Sequence, residues 1–503
     1  MNDSYWKSIG RQLLHHRLGV GALCIIVLFT LVGIYAPFLA SSKPLFVLYD
    51  HTPYFPLFRY LFYSGFYTKG IDLFFNLMMV TLPAGFGIFF LFKKHPWIYR
   101  VLLVGLFFIQ LIGPFYLILR MPHDPASSAS LNIERQEALE HEKKERGAIY
   151  PSWNFDLAYM TPYAKLNLLL RERQRKERSL YLQQYAENEN EKFVSQWEVE
   201  QQQAQERLER AEVIIRREEV AGNMNSVSYR MAKAERQYIQ DKQTWINAQE
   251  EHLQFIVMPL LRSYHWEDDA GGQRRLHQQM PWWEVTRTNH KDFAAALIFG
   301  VRISLMVGIA SVALALIIGI PIGAISGYYA GMTDVVICRV LEIWEAMPTF
   351  FMLLTVVAIL QSKSLFLIIS VIGLFGWTSF SRYIRGEFLK QRSMPYVEAC
   401  DAQGFRDSKI IFSHILPNAL PPLLTLLPFA IMGAITSEAG LSFLGLGEEG
   451  SSSWGVLMDE GRQAFPGETA LLWPPAILLT ILLVAFAIVG DALRDVLDPK
   501  LKI

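Results

Sequence analysis

Apolar residues gather in long uninterrupted runs towards both ends of the chain, while polar residues fill most of the middle. The runs fall at about 18–40, 71–92, 98–119, 296–328, 340–361, 364–384, 419–443 and 471–490. Each reaches the about 20 residues that a helix needs to cross a bilayer. The pattern predicts an all-α integral membrane protein with eight spans. The first run could instead be a cleaved leader. It is long for such an apolar region and lacks a small-x-small exit, which favours a retained span.

Basic residues order the spans. Lys7, Arg11 and Arg17 precede the first run, and "KKHPWIYR" separates the second from the third. Arg382, Arg385, Lys390 and Arg392, then Arg494, Lys500 and Lys502, follow later runs. An excess of Lys and Arg marks the cytoplasmic side. Eight crossings then bring both termini to the cytoplasm, make 71–119 a membrane hairpin and put residues from about 122 to 283 outside.

That outer block has its own pattern. From Tyr163 to Met258 there is no proline, and Gly222 is the one glycine. Glu, Gln, Arg and Lys dominate, all good helix formers. Trp197, Ala204, Leu208, Ala211 and Ile215 keep heptad spacing, as do Met231, Ala234, Tyr238, Trp245 and Ala248. "AGNMNS" between them has turn chemistry. The block is expected to form an antiparallel helical hairpin with its own core; a solvated, partly disordered segment is the alternative.

Charge and cysteine content then narrow the function. Among 503 residues, Lys+Arg and Asp+Glu balance at 47 each, which gives no case for nucleic-acid binding. Cys24, Cys338 and Cys400 lie in or beside spans, and neither a disulfide framework nor a metal-ligand spacing emerges. Gly445, Gly447 and Gly450 have the G-x-G-x-x-G spacing, but they follow a span rather than a strand, and no G-x-x-x-x-G-K-[ST] occurs. They read as turn and close-packing glycines, and the chain is expected to bind no nucleotide, cofactor or metal.

One polar stretch stands apart: "YVEACDAQGFRDSKIIFSHILPNALPP", 396–422. Glu398 to Gln403 predicts a short helix, Gly404 a sharp turn, Ser408 to His414 a second helix, and Pro417 its stop. Phe405, Ile410, Ile411 and Phe412 beside charges suit a surface that docks into a cleft. The stretch resembles the EAA loop of type I ABC importer permeases, with Glu398, Ala399, Gly404, Leu416 and Pro417 in matching places. Cys400 replaces the second alanine and His414 the usual isoleucine. "GVRISLMVG" (300–308), "GYYAGMTD" (327–334), "EAMPTFF" (345–351), "LSFLGLG" (441–447), "SWGVLMDEGR" (453–462) and "GDALRDVLDPKL" (490–501) resemble the C-type permeases of oligopeptide, dipeptide and nickel importers. "SKPLFVLYDHTPYFPLF" (42–58) is most similar to the Yej-type oligopeptide and microcin branch. "VTRTNHKD" (285–292) departs from the family's G-T-D-x-x-G-R-D, and the hairpin and outer block lie outside its common pattern.

The resemblance implies a type I ABC importer transmembrane domain over 293–503, with a coupling loop at about 386–418. An N-terminal segment and first span (1–45), an outer loop with the extra hairpin (46–121) and an extracytoplasmic helical insertion (122–292) precede it. It implies a non-catalytic permease subunit in the bacterial inner membrane, paired with a homologous permease subunit, two cytoplasmic ATPase subunits holding ATP and Mg, and an external solute-binding protein that delivers peptide. Glu398 would face a basic group of the ATPase. Glu438, a carboxylate inside a span, is either a translocation-pathway residue or a structural hydrogen-bonding group. Glu342 and Glu345 can snorkel to water, and His15, His16 and His51 have no ligand spacing. A membrane sensor or scaffold using the outer block is the rival function; an intramembrane enzyme lacks a nucleophile–base pair.

Overall fold

In the computed structural model, the described residues are 10–63, 70–119, 124–147, 149–188, 195–262, 282–283, 292–448, 450–466 and 469–497. Lys7, Lys500, Lys502 and most of the departing 285–292 stretch lie outside them. The chain divides into two compact units. One is Met1–Ile34 with Leu297–Ile503, and the other is Tyr35–Ala296.

The first span is helix α1 (Arg17–Ile34), after which the chain enters the second unit. There, β1 (Ala40–Ser41), β2 (Phe46–Tyr49) and β3 (Thr52–Tyr54) precede α2 (Gly70–Phe92) and α3 (Pro96–Leu119). These two helices are the expected membrane hairpin. Thr81 donates to Gln110 Oε1 at 2.6 Å, and Gln110 Nε2 donates to the Phe74 carbonyl at 2.8 Å. This satisfies polar groups where lipid offers no partner.

The charged block is more than a hairpin. It comprises α4 (Ala129–Arg146), α5 (Trp153–Ala158), α6 (Pro162–Asn188), α7 (Gln196–Val220) and α8 (Val227–Glu250), followed by β4 (Leu253–Val257) and β5 (Leu261–Arg262). The α7–α8 pair is the antiparallel hairpin, opened by a Ser195–Glu198 capping box and packed at Ala211, Ile215, Ala232 and Tyr229. Tyr238 and Trp245, expected in that seam, instead meet Trp153 of α5 edge-on, at 5.6 Å each. The core is also shared. β4 pairs antiparallel with β2, and Val47 and Tyr49 pack with Leu166, Leu169, Leu170 and Leu253. The 46–121 and 122–292 segments therefore belong to one unit, and the insertion is not self-contained. Heptad spacing identified the helices but could not reveal a strand partner about 200 residues away.

The chain returns to the first unit through α9 (Phe293–Tyr329), α10 (Gly331–Glu345), α11 (Thr349–Leu360), α12 (Leu365–Arg392), α13 (Pro395–Ala402), α14 (Leu416–Leu423), α15 (Leu427–Leu441), α16 (Trp454–Ala464) and α17 (Trp473–Leu497). Among the described residues, seven helices are long and apolar enough to cross a membrane, or eight if α10 and α11 cross as one bent pair. That pair occupies the run expected to span at 340–361. The helix breaks at Ala346–Pro348 and bends by 71°, because a proline disfavours helix in the residue before it.

Two features hold the spans of this unit. α1 packs on α17 through Ala22, Ala485 and Val489. Arg302 is fully buried within α9 and donates from Nε to the Gly33 carbonyl at 2.6 Å and from Nη2 to the Ile34 carbonyl at 3.2 Å. A charge is costly in a span unless it has partners; here it caps the last carbonyls of α1, where the helix dipole favours a cation.

Candidate functional site

The polar loop begins where α12 ends, at Arg392. Pro395 opens α13 at a position that needs no N–H donor. Glu398 lies in its first turn, where a carboxylate suits the helix dipole. Its side chain is exposed and makes no hydrogen bond or ion pair with the described residues. Ala399 beside it is also exposed, and Val397 on the inner face is buried. The two-residue patch is small, charged and open.

α13 ends in a Schellman turn. The Phe405 N–H donates to the Cys400 carbonyl at 3.2 Å and the Gly404 N–H to the Asp401 carbonyl at 2.8 Å. Gly404 has φ +73°, the left-handed conformation that a residue with a Cβ resists. The Phe405 ring then stacks on His414, 5.8 Å apart and 14° from parallel, with the Lys409 ammonium 3.9 Å from its centroid on cation–π geometry. The turn is fixed from both sides.

Two expectations need correcting. Ile410 and Ile411, expected at the docking surface, are buried at 0% and 6% exposure; Phe412 is the exposed one, at 59%. Pro417 does not stop a helix. Residues Ile410–Ile415 form a π-helical turn running into α14, with Pro417 in the first turn of α14. A wider turn accommodates a ring that would clash with the preceding turn of a regular helix. Leu416 and Pro417 are half-buried there.

Sequence reasoning missed what supports the loop from behind. Gly319, Gly323 and Gly327 form one stripe of α9, and a Cβ on each would lie 2.6 Å from the Trp377 carbonyl, 2.3 Å from the Ser381 carbonyl and 2.5 Å from Phe388 Cβ. The backbones of α9 and α12 are thus in direct contact, as small-x-x-x-small packing allows. The repeated four-residue spacing of these glycines was a readable signal. Arg385 of α12 also grips Asp334 of α10 at two points, and Ser326 of α9 donates to the same carboxylate at 2.5 Å. Glu345, expected to snorkel, forms a two-point pair with Arg382.

Glu438 lies in α15, the next long helix after this loop, and is 1% exposed. Its Oε1 accepts from Ser442 at 2.7 Å and from Ser453 at 2.5 Å, while Oε2 has no partner among the described residues. Ser453 also caps α16, accepting from the Gly455 N–H at 3.2 Å. Gly445 and Gly450 adopt positive φ, and a Cβ on Gly447 would meet Ser442 Oγ at 2.5 Å. Through Oε1, Glu438 joins α15 to α16. No group of His, Cys, Asp and Glu able to hold a metal occurs among the described residues.

Comparison with known proteins bears on this arrangement. Residues 319–503 match the family described as binding-protein-dependent transport system inner membrane component, and residues 4–56 match the N-terminal transmembrane domain of oligopeptide transport permease C. The oligopeptide transport system permease protein OppC of Bacillus subtilis is 36% identical over 221 residues, covering 44% of this chain and 72% of that protein. OppC of Haemophilus influenzae is 39% identical over 216 residues, covering 43% and 69%. The peptidoglycan transport system permease protein YejE of Agrobacterium fabrum is 37% identical over 223 residues, covering 43% of this chain but only 57% of its own length. A chain of the inward-facing MetNI methionine ABC transporter aligns with 40% of this chain and 97% of its own, at 20% identity and a TM-score of 0.34. With the spans and the loop in place, the chain belongs to the family of inner-membrane permease components of binding-protein-dependent transport systems, in its oligopeptide and dipeptide branch.

Proposed function

We propose that this chain is a non-catalytic permease subunit of an ATP-driven importer, forming a peptide pathway together with a homologous permease subunit. Two cytoplasmic ATPases, which hold ATP and Mg, dock on the cytoplasmic loops of the permease pair, one of them on the 395–417 loop of this chain, and an external solute-binding protein delivers the peptide. Glu398, Ala399 and Gly404 form the docking face, with Leu416 and Pro417 fixing its return into the membrane. Both termini lie in the cytoplasm and the helical block outside, which requires α10 and α11 to cross as one bent span. ATP-driven closure of the partners moves the loop and rocks the spans between two access states.

The observation that carries this reading is Glu398, exposed and without a partner among the described residues, on a short helix whose end is fixed by the Gly404 turn. A rigid mount that presents an exposed carboxylate suits a basic groove on a partner. The test is purification of the tagged chain from membranes, followed by uptake of labelled oligopeptide into vesicles. Two ATPases and a second permease should co-purify, and uptake should require ATP. A complex without ATPases would support the scaffold alternative and overturn the proposal.

A further inference from the structure

Helix α9 is 37 residues long, about 55 Å at 1.5 Å per residue. At its C-terminal end it touches the loop itself. The Tyr328 hydroxyl donates to Asp407 Oδ1 and the Tyr329 hydroxyl to Asp407 Oδ2, both at 3.1 Å. Asp407 lies just beyond the Gly404 turn, on the opposite side of it from Glu398 in sequence. Two donors on the two oxygens of one carboxylate fix its rotation as well as its position; one alone would leave a swivel. Behind this contact, the glycine stripe and the Arg385–Asp334–Ser326 link join α9 to α12, which leads into the loop.

The other half of α9 is held as closely. A Cβ on Gly300 would lie 2.6 Å from the Ser452 carbonyl and from Trp454, and one on Gly308 2.8 Å from Ile431 and 2.9 Å from Ile435. Trp454 Nε1 donates to the Leu297 carbonyl at 3.0 Å. These contacts flank Glu438 on α15 and α16. The helix therefore runs from the loop to the Glu438 junction, with backbone-level contact to α12 in one half and to the Ser452 carbonyl in the other, and close-packed contacts transmit displacement rather than absorb it.

We infer that Asp407, held by Tyr328 and Tyr329, is a positioning residue that makes the loop and α9 move as one body. Displacement of the loop is then delivered along α9 to the junction of α15 and α16. This rests on the transport reading above and assigns the loop two sides, Glu398 facing the partner and Asp407 facing its own chain.

The test uses the complete assembly in vesicles, with peptide uptake and phosphate release measured together. The variant Tyr328→Phe/Tyr329→Phe keeps both rings and removes only the hydroxyls. At equal membrane abundance it should hydrolyse ATP near the wild-type rate, while uptake per ATP falls about five- to tenfold, the scale of losing charge-assisted hydrogen bonds. Asp407→Asn should lower the same ratio, and adding it to the double variant should cost little more, because all three changes break one contact. Wild-type coupling in the double variant, or losses that multiply, would overturn the inference while leaving the transport reading intact. A wild-type assembly without ATP-driven uptake would remove that reading, and this inference with it.

Discussion

Arg385 and Asp334 meet at two points, Nε to Oδ1 at 2.5 Å and Nη2 to Oδ2 at 2.6 Å, with Asp334 the more enclosed partner. The pair joins α12 to α10, and Ser326 draws α9 into the same carboxylate. Removing one partner leaves a half-buried charge without its counterion, which costs more than the pair itself contributes. Arg385→Ala should therefore lower the unfolding temperature of the detergent-solubilised protein, by about 1–3 kcal/mol of stability. Asp334→Asn/Arg385→Gln should be less harmful than either single change. A double variant worse than both would show that the charge itself is required.

The glycine stripe gives a sharper steric test. A Cβ at position 323 would sit 2.3 Å from the Ser381 carbonyl oxygen, which belongs to backbone and cannot turn away. Gly323→Ala should force α9 and α12 apart and reduce membrane abundance severely. Gly386→Ala in α12 has nothing within 4 Å of its new methyl. It should be neutral or slightly stabilising, since alanine is the better helix former by about 1 kcal/mol. Equal abundance of the two variants would disprove the direct backbone contact.

The spans and the loop were legible in the sequence for a physical reason. Lipid demands apolar residues on every exposed face of a helix, so length alone marks a span, and the special turn at Gly404 demands a residue without a Cβ. Position within a helical turn was less legible. Ile410 and Ile411 look like docking residues beside Phe412 because consecutive apolar residues on a short helix point in different directions, and only packing decides which face inward. The π-turn at Ile410–Ile415 and the bend before Pro348 are local answers to proline, whose exact geometry depends on neighbouring helices. Tyr238 and Trp245 were assigned to the wrong partner because spacing identifies a face of α8 but not what covers it.

The loop itself predicts two separable failures. Glu398→Lys reverses an exposed charge that has no partner among the described residues, so the chain should fold and insert normally. Gly404→Pro removes the N–H that donates to Asp401 and demands a negative φ where the chain has +73°. It should displace Phe405 from its stack on His414 while leaving the spans in place. Both variants should abolish ATP-dependent uptake, the first by weakening ATPase association and the second with the ATPases only loosely held. Normal uptake by either would exclude this loop as the docking face.

The helical block yields a test in which the size of a deletion decides the outcome. Excising 163–258 would take away Leu166, Leu169, Leu170 and Leu253, leaving Val47 and Tyr49 of β2 without the residues that bury them. It would also remove β4, the partner of β2. A smaller excision, 212–231 replaced by a short turn, removes only the outer part of the α7–α8 hairpin. It stops short of the Arg207–Glu235 ion pair and leaves the Trp153–Tyr238–Trp245 cluster untouched. The short deletion should give protein as abundant and protease-resistant as the parent chain. The long one should expose new cleavage sites within 35–60, where the strands have lost their cover. Resistance of the long deletion at those sites would mean that the strands do not depend on the block, and that the block is an independent appendage.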